Sequence, residues 1–256
     1  MRRRGAPYPT SLKIVLIAVN AAAYAAVGYM TFLGIFAIPL GVVRFWPAVI
    51  VPGVFAALFG PIVGGVGAAI GIFISDTVIH GNPLLSLVAG VPSNLIGFYL
   101  IGYISNRKLG LPEVAVGGAI AVGGALTGLG LGQQGLLSAD PGQSMFTGWM
   151  FFISALAFAA VSVILSQAYK KWRSYMIAAA VGLGIGSLWI GVTVWAFSQF
   201  FALPMASGGG YQLPAWAAAM WFIWTFATEY PFLVVVVPPI AYAARKALPD
   251  LLPETT

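Results

Sequence analysis

Most of the charge in this chain falls outside its apolar runs, in the gaps between them and at the two ends. The 256 residues carry 12 Lys/Arg and 6 Asp/Glu, and apolar stretches occupy 12–33, 46–59, 61–79, 83–105, 113–137, 146–168, 175–203 and 214–244. Charged residues make up 7% of the chain, against about 25% in soluble domains. In lipid each backbone N–H and C=O must be satisfied internally, which for runs of this kind means helices. The composition therefore predicts an all-α integral membrane protein, a polytopic helical bundle folded as a single transmembrane domain over 1–256.

A spanning helix needs ~20 apolar residues, so the two stretches meeting at Gly60-Pro61 are short. Pro61 suits the first position of a helix, which allows a tight turn. The pair also reads as one kinked or re-entrant unit. Charge placement favours eight crossings with both termini cytoplasmic. The inside segments then hold Arg2, Arg3, Arg4, Lys13, Arg107, Lys108, Lys170, Lys171, Arg173, Arg245 and Lys246, leaving only Arg44 outside; cytoplasmic segments carry such an excess of Lys and Arg. The apolar run after Met1-Arg2-Arg3-Arg4 exceeds the roughly 7–15 residues of a signal-peptide core, so it reads as a retained first span. Residues 249–256 read as a short cytoplasmic tail.

Several function classes are disfavoured. The net charge of +6 sits in short clusters between spans, not in a basic stripe suited to nucleic acid. The chain has no cysteine, so thiolate metal sites and cysteine nucleophiles are excluded. His80 is the only histidine, and a metal site built on it would need acids from elsewhere. No Walker A and no Gly-x-Ser-x-Gly elbow occurs. The reading is a non-enzyme without cofactor or metal.

Polar groups inside apolar runs oppose their own desolvation, so each marks a possible site. Asp76 and His80 share a helix face at the outer end of the third run, with Asn82 just beyond. Asn94 lies roughly 16 Å into the fourth; its amide can donate to and accept from a heterocycle, or bond a neighbouring helix. Glu229 is the only acid in the middle of a span, and Pro231 beside it leaves the carbonyl near 227 without a helical donor. Trp46, Trp149, Trp195, Trp216 and Tyr211 read mainly as interfacial belt residues, of which one or two can stack on a planar ligand.

Small residues pattern the same runs. Gly60/Gly64, Gly67/Gly71, Gly124/Gly128 and Gly182/Gly186 stand four apart, a spacing that brings backbones together. Ala18, Ala22 and Ala26 form a smooth stripe on the first run, suited to internal packing or to docking another membrane helix.

Residues 45–105, with the alanine stripe before them, resemble substrate-binding (S) components of energy-coupling factor (ECF) transporters, and look most like the riboflavin-type prokaryotic group. The matching features are PAVIVPGVFAALFGP, GGVGAAIGIFISD, the HGNP turn and GVPSNLIGFYLIGY. The resemblance covers about the first 110 residues well. It implies a six-helix core, here with two additional spans, in the plasma membrane of a prokaryote. It also implies capture of a vitamin-like micronutrient from outside, and delivery inward with a transmembrane coupling subunit and two cytoplasmic ATP-binding subunits. Ala18, Ala22 and Ala26 are then the docking face, and the segment 34–44, which includes Arg44, covers the pocket. The substrate contacts to be expected are Asn94, Asp76, His80, Asn82, Arg44, Trp46 and Glu229. Two other readings stand beside this one: a stand-alone proton-coupled transporter using Glu229, and a structural membrane protein whose polar residues only cross-link helices.

Overall fold

A computed structural model describes residues 8–33, 46–205, 209–249 and 251–252, and these are helical throughout, without a strand. Helix α1 runs Thr10–Phe32. A 3-10 turn, Pro47–Val49, leads into α2, Ile50–Phe59. Gly60, at φ 90°, then turns the chain into α3, Pro61–His80, with Pro61 at its first position. Gly81 ends α3 in the left-handed conformation, φ 65°, which glycine adopts without a Cβ penalty.

The run 83–105 is one rod in three parts. Pro83–Leu85 form α4, Ser86–Gly90 make a wider π-helical turn, and Val91–Ser105 form α5. The remaining helices are α6, Leu111–Gln133, α7, Pro141–Ala168, and α8, Arg173–Ser198, entered by a 3-10 turn. They are followed by α9, Trp216–Val235, and α10, Val237–Ala247. All eight apolar runs are thus helical. Among the described residues six helical rods are long and apolar enough to cross a membrane: Thr10–Phe32, Pro61–His80, Pro83–Ser105, Pro141–Ala168, Lys170–Ser198 and Trp216–Ala247. Pro47–Phe59 is apolar but shorter.

Packing follows the small residues. Helices α1, α3, α5, α8 and α9 pack in that succession, α2 lies against α3 and α5, and α6 packs chiefly on α7. A Cβ at Gly71 would stand 2.8 Å from the Ala21 carbonyl oxygen, and one at Gly97 would stand 3.0 Å from that of Gly182. Such approaches trade side-chain volume for backbone contact, the main source of helix association in lipid. The Gly67/Gly71 pair thus closes α3 onto α1, and Gly182/Gly186 closes α8 onto α5. Gly124 meets nothing within 4 Å while Gly128 faces Phe151, so the Gly124/Gly128 pair is not a packing seam over both its members. The buried Asn20 amide ties α1 to α3 by donating to the Val63 carbonyl at 2.9 Å.

The basic segments gather at one end of the bundle. The amide of Leu109 donates to Ser174 Oγ, Lys171 lies over Tyr242, and Arg245 lies over Trp172. Arg245 also donates to the Ala57 carbonyl at the end of α2. Tyr8 packs on Phe59 and donates to the Leu251 carbonyl. The Gly60 turn lies at this end too, against Gly102.

Two expectations change. The span 214–244 breaks at Val236, not at Pro231, through which α9 continues. Pro231 removes one N–H, whereas Pro238 and Pro239 remove two in succession, and α9 ends on their orphaned carbonyl partners, Val234 and Val235. Trp46 is no boundary residue: its indole donates to the Tyr24 hydroxyl at 3.0 Å, well inside α1. The start of the Pro47–Phe59 rod therefore lies beside the middle of α1.

Candidate functional site

Between α1, α3, α5, α8 and α9 lies a cavity of about 180 Å³. Asp76, His80, Asn94, Trp46 and Glu229 all line it. Five of the seven expected contact residues, drawn from four separate runs of sequence, thus face one space. Asn82 does not line it; its side chain accepts from the Leu85 amide at 3.0 Å and caps α4. Arg44 and the segment 34–44 lie outside the described residues.

The π-helical turn shapes one wall. Pro92 has no N–H to give the Val88 carbonyl four residues back, and the Trp189 indole from α8 donates there at 3.0 Å. The widened turn carries Ser86, whose hydroxyl donates to Asp76 Oδ2 at 2.8 Å. It also carries Gly90, where the Asp76 carboxylate occupies the place a Cβ would take. Such turns recur at functional sites because they re-aim the side chains around them. His80 Nδ1 stands 3.6 Å from Asp76 Oδ1, too far for a hydrogen bond.

A buried relay adjoins this turn. Trp46 Nε1 donates to the Tyr24 hydroxyl, which donates to Asn94 Oδ1 at 2.9 Å, and Asn94 Nδ2 donates to the Gly90 carbonyl at 3.0 Å. Tyr24 is 1% exposed. The relay consumes the Tyr24 hydroxyl and part of the Asn94 amide, leaving Asn94 one N–H and one lone pair for anything bound. Gly28 gives the relay its space: a Cβ there would meet Ser75 Oγ at 2.6 Å and the Trp46 ring at 2.9 Å.

Glu229 enters from α9, in the company of Thr225 and Trp221. Among the described residues no hydrogen bond or ion pair engages its carboxylate. No Lys or Arg lines the cavity among those residues. Ser187 also lines it; this residue is 0% exposed and its hydroxyl has no hydrogen-bond partner among the described residues. No cluster of three or more His, Asp or Glu suited to a metal ion occurs among the described residues. The arrangement offers carboxylates, an amide and aromatic faces to a guest.

Tyr24, Ser86 and Ser187 escaped the sequence reading. A lone tyrosine amid alanines, on the face opposite the Ala18 stripe, is a usable signal. A serine beside Gly186 is not, because small residues there already satisfy helix packing. The stripe itself faces away from the core: Ala18, Ala22 and Ala26 are exposed while Asn20, Ala21, Tyr24 and Gly28 are buried.

No protein-family model matches the chain, and no curated protein or solved structure gives a significant match.

Proposed function

We propose that this protein is the substrate-capture subunit of an ECF-type importer, binding a small micronutrient inside the bundle and delivering it through a coupling subunit and two ATPases. The observation that carries the reading is the cavity lined jointly by Asp76, Asn94, Trp46 and Glu229. A protein whose polar groups served only to cross-link helices would pair them with one another, yet the Glu229 carboxylate meets no partner among the described residues. The exposed alanine stripe of α1 supports the docking half of the proposal, since small residues let a partner helix approach closely.

The basic segments at one bundle end support the expected orientation, with that end cytoplasmic. Helix α3 runs from that end, where the Gly60 turn meets Gly102, to His80 at the other, so His80 marks the side of the cavity toward the outside. Eight passages of the chain complete the proposed topology, with the short Pro47–Phe59 rod covering only the part of one that runs from beside the middle of α1 to the basic end.

Reconstituted uptake tests the reading. Vesicles containing this chain together with ECF coupling and ATP-binding subunits are expected to accumulate substrate only with internal ATP, and not when this chain is omitted. Uptake by this chain alone, driven by a proton gradient and lost in Glu229→Gln, would replace the proposal with the proton-coupled reading.

A further inference from the structure

We propose that the cavity selects a small organic cation, a planar compound of one or two rings whose positive charge faces Glu229 and Asp76. This rests on the capture reading and narrows its substrate class.

Charge gives the first argument. Two carboxylates line one cavity, and no Lys or Arg lines it among the described residues. Asp76 has the Ser86 hydroxyl as a donor, whereas Glu229 meets none among those residues. A carboxylate away from bulk water interacts strongly with any cation placed beside it, and an uncompensated one is costly to bury. His80, 3.6 Å from Asp76, is the other titratable group beside these carboxyls that can carry a positive charge, and it leaves Glu229 without a cation among the described residues; a cationic guest pairs with that carboxylate where a neutral or anionic guest does not.

The walls give the second. Tyr24, Trp46, Phe98 and Trp221 contribute aromatic faces. Aromatic rings attract cations over their faces and stack on planar systems. The Ser187 hydroxyl, wholly buried and without a partner among the described residues, adds an independent polar group at the same cavity.

Size gives the third. The cavity holds about 180 Å³, and a cavity of about 150 Å³ accommodates benzene. One ring with substituents, or two small fused rings, fits this space.

Three probes of one shape and three charges test the assignment: benzamidinium, benzamide and benzoate, titrated calorimetrically into the purified full chain at pH 7. Benzamidinium is expected to bind at least tenfold tighter than either isostere. Glu229→Gln is expected to lower its affinity at least tenfold and to leave benzamide within twofold; Asp76→Asn is the second variant should the first not fold. The charge series on the unmodified chain needs neither. Equal binding of all three, or preference for benzamide or benzoate, overturns the cation assignment while leaving capture standing. Failure of all three to bind overturns it too, and the ATP-dependent uptake assay then decides the capture reading separately.

Discussion

Trp189 donates its indole N–H to the Val88 carbonyl at 3.0 Å, at the one place in this rod where Pro92 withholds the helical donor. Sequence thus sets a defect in one helix and its repair in another, and the defect carries Ser86 and Gly90 against Asp76. Trp189→Phe keeps an aromatic ring but removes the donor. It is expected to cost ~0.6–2 kcal/mol, the range for interhelical hydrogen bonds in membranes. In the Pro92→Ala background the same change is expected to cost less, because the backbone amide restored by that substitution supplies the bond. Thermal unfolding of the four proteins of this cycle measures the coupling; strict additivity would contradict the account.

Tyr24 holds two partners through one hydroxyl. Tyr24→Phe leaves Trp46 Nε1 and Asn94 Oδ1 unsatisfied, at an expected ~1–3 kcal/mol of stability. Asn94→Ala breaks the same relay and is expected to lower ligand affinity by a similar ~1–3 kcal/mol. The stability losses of the double variant are expected to fall well short of the sum. Unchanged affinity in Asn94→Ala, read by ligand titration, would remove Asn94 from the site.

The alanine stripe separates docking from binding. Ala18→Leu, Ala22→Leu and Ala26→Leu place bulk on an exposed helix face, where substitutions usually stay within about 0.5 kcal/mol of stability. Ligand affinity is expected to hold while co-purification with the coupling subunit falls. Equal loss of both would mean the stripe serves the fold.

Two glycines of similar sequence setting should behave oppositely. Gly97→Val drives a side chain toward the Gly182 carbonyl, 3.0 Å from the first carbon added, at an expected ~1–3 kcal/mol or more. Gly124→Val enters open space and should change melting by little. Comparable melting temperatures for the two variants would contradict the packing described.

These contrasts show where the sequence was legible. Asp76, Asn94 and Glu229 stood out because lipid penalises polar groups that lack a purpose, and the cavity joins them. Asn82 carried the same signal but serves as a helix cap, a role its place before Pro83 also fits. The Gly182/Gly186 and Gly124/Gly128 spacings are identical in sequence, yet only the first has a helix against both its members; spacing states what a face permits, not what meets it. Helix borders were the least legible. Hydropathy marks where lipid can begin, so α7 extends back beyond its apolar run to Pro141, where Asp140 Oδ1 accepts from the Gly142 and Gln143 amides. Ser187 stayed hidden because an isolated serine costs a span little and so gives little signal, whereas Tyr24 stood alone among alanines opposite the Ala18 stripe and could have been read.

The most direct test is mass spectrometry of small molecules released from the gently purified chain, before and after incubation with a mixture of vitamins and related micronutrients. The account predicts one compound at about one per chain, lost or strongly reduced in Glu229→Gln and retained in Ala22→Leu. A chain that releases nothing under either condition, while folded, would contradict the claim that the cavity between α3, α5, α8 and α9 exists to hold a guest.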